Sequence, residues 1–294
     1  IWRRLGERGD AVGDDCAVVE MGGKRVAIAT DLAVEGRHFR IGWISHYEAG
    51  WRAAAAALSD LAAVAAEPRG VLVSLGVPAE WPDVFVEDVM DGVGAVTEWV
   101  GGRVWGGDLI QANPAVIDVT VVGEARSPVM RSGGASGDGV WVTGTLGGPR
   151  AALGAWASGL EPEESARERF ARPIPRIREA SWLMEQGATA MIDVSDGLVG
   201  DAGHIAAASG VAVVLESELV PVHPAAEPKD ALVGGEEFEL LVTLPRSSAQ
   251  DIGARFEEEF GVRFTRVGAV EAGFGVRVLR GGSPVEVPAG YSHF

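Results

Sequence analysis

Lysine is nearly absent from this sequence. Lys24 and Lys229 are the only two, and the other cations are arginines. Any bound phosphate must therefore meet arginine, backbone N–H groups or a metal ion. Basic residues as a whole are scarce: 25 Lys and Arg stand against 42 Asp and Glu, a formal net charge of -17. That imbalance excludes nucleic acid as a main partner, because no basic stripe can offset phosphate repulsion. Cysteine is reduced to Cys16. A lone cysteine excludes an internal disulfide and fits a reducing compartment, so the cytoplasm is the expected location. No apolar run reaches the roughly 18 residues of a membrane span, so no membrane association is expected. The most apolar stretch, Ala53–Ala66, is interrupted by Ser59 and Asp60. Ile1–Asp10 is charged and lacks an apolar core, so it does not read as a signal peptide. No repeat of 20–50 residues and no low-complexity tail is visible.

What is present suits a large core. The chain has 294 residues and is 47% hydrophobic, which excludes wholesale disorder. Apolar runs bounded by Gly, Pro and Asp predict strands at Lys24–Thr30, Gly70–Val77, Arg103–Trp105, Ala115–Ala125, Gly139–Thr143, Ala190–Val194, Val211–Glu216, Glu237–Leu244, Phe264–Val270 and Val276–Arg280. Helices are expected at Ser45–Ala66, stopped by Pro68, and at Pro82–Val100, Gly147–Ser158, Glu161–Phe170, Arg176–Gln186 and Ser247–Phe260, with one more running to Ser209. The glycine-rich stretch Ser127–Asp138 marks a domain boundary. The reading is a mixed α/β (α+β) protein of two domains, 1–126 and 127–294.

The placement of aspartates carries the chemistry. Asp15, Asp31, Asp60, Asp108, Asp193 and Asp196 mostly sit beside glycine at the ends of apolar segments. Taken singly, each has an ordinary reading as a turn or cap residue. Asp60 is harder to dismiss, because it interrupts an apolar helix where a carboxylate is costly. Carboxylates that converge repel one another unless a cation intervenes, and hard oxygen ligands in such number suit Mg²⁺ and the phosphates of a nucleotide. The usual nucleotide loops are missing: there is no G-x-x-x-x-G-K-S/T, no G-x-G-x-x-G between strand and helix, and no protein-kinase motif set.

Nine short motifs occur in order: Gly13-Asp14-Asp15-Cys16-Ala17, Ala29-Thr30-Asp31, Val34-Glu35-Gly36-Arg37-His38-Phe39, Leu58-Ser59-Asp60-Leu61-Ala62-Ala63, Gly106-Gly107-Asp108, Arg131-Ser132-Gly133, Val142-Thr143-Gly144, Ile192-Asp193-Val194-Ser195-Asp196-Gly197-Leu198 and Gly234-Gly235-Glu236. Any one is weak, but the ordered set closely resembles the thiamine-monophosphate kinase family of the aminoimidazole ribonucleotide synthetase-like superfamily. The resemblance runs from Gly13 to the closing Gly290-Tyr291-Ser292-His293-Phe294. It implies a two-domain fold and a homodimer whose N-terminal strands form a barrel across the two-fold axis, with the ATP site near that interface. It also implies ATP- and Mg²⁺-dependent phosphorylation of thiamine phosphate to thiamine diphosphate by direct in-line transfer. By resemblance Asp15, Thr30, Asp31, Asp60, Asp108, Asp193 and Asp196 are metal ligands, with Asp31, Asp60, Asp108 and Asp193 central to catalysis. Gly107, Asp108, Arg131 and Ser195 contact ATP. His38 and Glu236 face thiamine phosphate, with Tyr291 as a weaker aromatic candidate for its cationic ring.

The sequence departs from the family pattern at Ala29, Leu109, Glu237, Phe238 and Pro288. These changes bear on the acceptor more than on the ATP and metal sites. Two alternatives stay open: a relative that uses the same ATP–Mg²⁺ cage on another acceptor, and a non-catalytic nucleotide-binding homologue. His204 reads as structural, and Gly234-Gly235 can be a plain turn with Glu236 and Glu237 solvated.

Overall fold

The computed structural model describes residues 13–248 and 250–287, and the chain forms two compact units. Of the described residues, the first takes in 13–128 together with 171–177, and the second takes in 129–170 and those from 178 to 287. A single boundary after residue 126 does not capture the return of 171–177 to the first unit.

The first unit opens with a hairpin of β1 (Ala17–Met21) and β2 (Lys24–Val34). Its two-residue loop needs left-handed backbone at both positions, and Gly22 and Gly23 supply it with φ of 58° and 77°. Then come α1 (His46–Ala63), β3 (Glu67–Val77), α2 (Asp83–Trp99), β4 (Val104–Gln111) and β5 (Val116–Glu124). The sheet order is β1-β2-β5-β3-β4, with β3 and β4 parallel and the other pairs antiparallel. Along β5 the alternate residues Ile117, Val119 and Val121 are buried. That period of two marks one covered and one open face.

Helix α1 starts where its sequence says it should. The Ser45 side chain accepts from Glu48 N, and the Glu48 carboxylate accepts from Ser45 N at 2.8 Å. This reciprocal cap fixes the start of the helix. The end differs from expectation. The helix stops at Ala63, Ala65 turns left-handed with φ 53°, and Pro68 lies inside β3. Pro68 pairs with Gly123 just before a register shift, where a missing ladder N–H is tolerated. Gly50 on α1 and Gly92 on α2 let the two helices touch backbone to backbone. A Cβ at Gly50 would collide with the Val89 carbonyl, and one at Gly92 with the Tyr47 carbonyl.

The second unit contains β6 (Gly139–Thr143), α3 (Gly148–Ala157), α4 (Glu164–Ala171), α5 (Ile177–Glu185), β7 (Ala190–Asp193), α6 (Leu198–Ser209), β8 (Ala212–Glu216), α7 (Pro228–Val233), β9 (Leu240–Leu244), α8 (Ile252–Phe260), β10 (Phe264–Glu271), β11 (Gly275–Arg280) and the short β12 (Ser283–Pro284). Its seven-stranded sheet runs β12-β11-β8-β10-β6-β9-β7. Strands β6, β7 and β9 are buried at every position, so they are continuous apolar runs without alternation. One core joins them to Leu198, Ala202 and Ile205 of α6. Helix α7 has no counterpart in the sequence reading, and β9 begins at Leu240 rather than Glu237. The reason for the late start is backbone: Glu236 and Phe238 are left-handed, with φ of 64° and 52°. Mixed α/β units in a two-domain arrangement are as expected.

Candidate active site

In the first unit the tight Gly13–Cys16 segment meets the end of α1. Cys16, 1% exposed, donates its thiol to the Asp60 carbonyl at 3.2 Å. This contact draws Asp15 toward Asp60, and carboxylate oxygens of the two lie within 4.8 Å. Both residues are half-buried. Two like charges this close, partly removed from water, fit a site for a hard cation, because a divalent ion would relieve their repulsion.

Register sorts the strand residues by face. Asp31 is opposite Val119, which lies on the helix-covered face. Thr30 therefore leaves from the open face, where its hydroxyl donates to Asp118 Oδ1 at 2.9 Å and lies 3.0 Å from Thr120 Oγ1. Asp108 also belongs to the open face, since Ser74 pairs with both Asp108 and Asp118. Asp31 and Asp108 are thus within strands, not at their ends, and their side chains diverge. Strands β2 and β4 are three steps apart in the sheet, roughly 14 Å at the usual spacing. Gly107 has a packing reason of its own: a Cβ there would collide with the Val73 carbonyl. Asp118 was missed by the sequence reading. Its signal is the polar alternation of Asp118 and Thr120 within an otherwise apolar strand.

His38 is half-buried on the loop after β2. Its Nδ1 accepts from Val34 N at 3.0 Å, and its carbonyl accepts from Arg52 Nε at 3.2 Å. With Nδ1 engaged as an acceptor, the neutral ring carries its proton on Nε2 and presents a donor.

In the second unit Asp193 ends β7, 2% exposed, opposite Leu240. The turn that follows is organised by Asp201, which the sequence reading overlooked. Asp201 is 1% exposed, and its Oδ2 accepts from both Ser195 N and Asp196 N at 3.1 Å. Asp196, Asp201 and His204 bring ligand atoms within 4.8 Å of one another. Gly197, φ 107°, makes the entry into α6, where a Cβ would press on Val233. Arg131 is half-buried on a loop fastened by Ser209. Ser209 Oγ donates to the Arg131 carbonyl at 2.8 Å and accepts from Gly133 N and Gly134 N at 3.2 and 3.1 Å.

Glu236 stands on a loop stitched to the same turn. Its N–H donates to the Ser195 carbonyl at 2.7 Å, and the N–H groups of Glu237 and Phe238 both donate to the Val194 carbonyl. Gly235 is required there, because a Cβ would collide with the Ser195 carbonyl. Glu237 is not solvated, contrary to the plain-turn reading: it is 1% exposed. Burial, with Glu239 adding to it, pushes its carboxyl up to about 8 against the opposing effects of Arg169 and the Gly147 N–H. Tyr291 and Pro288 lie outside the described residues. Among the described residues no helix is long and apolar enough to cross a membrane.

Comparisons with known proteins follow the same division. The family description "AIR synthase related protein, N-terminal domain" matches residues 13–125, and "AIR synthase related protein, C-terminal domain" matches 135–280. The thiamine-monophosphate kinase of Mycobacterium tuberculosis (strain ATCC 25618 / H37Rv) is 37% identical over 207 residues, covering 70% of this chain. This match spans 62% of that relative, less than two thirds of its length. The thiamine-monophosphate kinase of Aquifex aeolicus (strain VF5) is 35% identical over 297 residues, covering 96% of this chain and 92% of its own. Among solved structures, AaThiL complexed with AMPPCP and TMP superposes with a TM-score of 0.88 at 33% identity, covering 99% of this chain and 94% of that one. Two matched domain regions and a likeness over nearly the full length have one reading: the chain belongs to the thiamine-monophosphate kinase family of the AIR synthase related proteins.

Proposed function

We propose that this chain transfers the γ-phosphate of ATP to thiamine phosphate, yielding thiamine diphosphate and ADP. The observation that carries the reading is the Asp15–Asp60 carboxylate pair, held by the Cys16–Asp60 contact, in a chain with full-length likeness to a structure complexed with AMPPCP and TMP. Both reactants are anionic, so the work of the site is charge neutralisation and alignment. Bound Mg²⁺ would supply that neutralisation across the phosphates. Asp15, Asp31 and Asp60 are the proposed carboxylate ligands in the first unit, and Asp193 and Asp196 are proposed ligands in the second. Thr30 is the remaining candidate ligand, although its hydroxyl already bonds Asp118.

The protein's own groups do the rest. Arg131 and Ser195 are the proposed ATP contacts, each on a loop whose backbone is fastened by a neighbouring side chain, Ser209 or Asp201. Rigid support of this kind keeps the phosphates in line. His38 Nε2–H is a donor for the acceptor phosphate, and Glu236 sets a negative charge by the cationic ring of thiamine. Gly107 and Asp108 lie three strands from Asp31, with Asp108 on the opposite face. In a homodimer they would serve the site of the partner copy.

The test is an ADP-release assay with ATP, Mg²⁺ and thiamine phosphate, with thiamine diphosphate measured directly. One-to-one formation of the two products is expected, together with loss of turnover in a folded Asp60→Asn variant. ADP without thiamine diphosphate would assign the same cage to another acceptor. ATP binding without turnover on any acceptor would mean a non-catalytic homologue.

A further inference from the structure

The segment Gly234–Phe238 holds an unfavourable shape. Glu236 and Phe238 are both left-handed non-glycine residues, with φ of 64° and 52°. Such residues persist only where their surroundings over-determine them. Part of the restraint is the backbone stitching to Val194 and Ser195. The rest comes from side chains beneath the loop. Glu237 Oε1 accepts from Gly147 N at 2.5 Å, at the start of α3. Arg169, from α4, donates Nη2 to the Glu237 carbonyl at 3.1 Å and pairs with Glu239 Oε1 at 2.9 Å. Thr143 of β6 donates its hydroxyl to Glu239 Oε2 at 2.5 Å. One loop is thus tied to three separate elements of the second unit.

We propose that Glu237, with Arg169 and Glu239, is a buried latch that holds the 234–238 turn in its left-handed shape and so aims Glu236 at the acceptor. Glu237 is a positioning residue in this arrangement, and the aim of Glu236 rests on the kinase reading above. The charge pattern fits the geometry. Arg169 lies 2.9 Å from a Glu239 oxygen but 3.8 Å from Glu237 Oε2. Glu237 Oε2 is buried without a hydrogen-bond partner. One arginine between two buried carboxylates neutralises one of them, and the second is stable as the protonated acid. The groups acting on Glu237 are Arg169, Glu239 and the Gly147 N–H; the same Arg169, and after it Glu163, act on His223. The latch is therefore closed at neutral pH and carries an extra buried charge above about 8.

The test uses Glu237→Gln, which keeps the acceptor for Gly147 and cannot ionise, and Glu237→Leu, which removes it. Hydrogen exchange at the amides of residues 236–238 reads the latch without any substrate. Calorimetric binding of thiamine phosphate and of ATP reads its consequence. In E237L these amides are expected to exchange at least tenfold faster, and thiamine phosphate to bind at least tenfold more weakly, with ATP affinity within twofold. E237Q is expected to match the unmodified chain at pH 7 and to bind thiamine phosphate more tightly than it at pH 9. Unchanged amide exchange in a folded E237L would overturn the latch whatever the substrate. Loosened amides with unchanged thiamine phosphate affinity would overturn the aiming of Glu236. No binding of thiamine phosphate by the unmodified chain would remove the acceptor reading, and the exchange result would still decide the latch.

The same acid sets a pH dependence of stability. Its folded value, about 8, is above the ordinary value of 4.5. The folded state therefore holds a proton that the unfolded chain gives up. This contribution is full below about pH 4.5 and is lost as pH rises to about 8. Between these limits the melting temperature of the unmodified chain is expected to fall relative to that of E237Q. Parallel curves for the two proteins would show that Glu237 is ionised throughout and would overturn the protonated latch.

Discussion

Single carboxylates do two different jobs in this protein, and their surroundings tell them apart. Asp201 accepts two backbone N–H groups and is 1% exposed, so it builds the turn that carries Ser195 and Asp196. Asp15 and Asp60 are half-buried with their oxygens near each other, which suits a cation. Replacing Asp201 by Ala leaves two N–H donors without their acceptor. The expected cost is about 1–3 kcal/mol of stability, read from urea unfolding, with weaker ATP binding because Ser195 loses its support. A variant of unchanged stability would show that the turn does not depend on Asp201. Asp60 was legible from sequence because a charge in an apolar helix is conspicuous. Asp201 and Asp118 were not, because an aspartate near a helix start or in an alternating strand looks ordinary until its partner is known.

Elements place these residues through backbone contact as much as through side chains. Helix α1 carries Asp60, and α2 lies against it at Gly50 and Gly92. Substituting Gly92 by Val would push α2 off the Tyr47 carbonyl. Overpacking of this kind typically costs about 1–3 kcal/mol, so a lower melting temperature is expected, with reduced turnover if α1 shifts. An unchanged melting temperature would mean that the helices separate freely. Alanine richness announced this helix in advance, and the Ser45–Glu48 cap fixes its start in the fold. Its end was misplaced because Pro68 looked like a stop signal, whereas Ala65 turns the chain and Pro68 is already inside a strand. The same applies to β4. The expected strand ended at Trp105, before Gly106-Gly107-Asp108, yet pairing with β3 holds these residues extended.

At the scale of the whole molecule, the -17 charge and the two lysines mean that the two anionic substrates proposed above would be gathered by a protein that repels them. On that proposal, metal ions and a few arginines would reverse the sign locally. The opposite faces of Asp31 and Asp108 give the proposed dimer a direct test. Asp31→Asn and Asp108→Asn are each expected to be inactive. Mixed and refolded together in equal amounts, they should recover about a quarter of full activity, since half of the dimers pair the two and each holds one intact site. No recovery would place both aspartates in one protomer's site.

The sequence alone determined the two-domain α/β character, most strands and helices, and the order of motifs that identifies the family. These are local properties: apolar periodicity, capping pairs and glycine-bounded turns are set by neighbours in the chain. Tertiary structure decided which side each residue faces. Strand register separated Thr30 and Asp108 from Asp31, although all three read alike as residues beside apolar runs. It also decided that Glu237 is interior. In sequence, Glu236 and Glu237 are two adjacent acids after two glycines. In the fold, left-handed backbone at Glu236 and Phe238 turns Glu237 down onto Gly147 and Arg169 while Glu236 stays half-buried above. Such a division depends on partners about 70 to 90 residues away in the chain, and no local pattern encodes it.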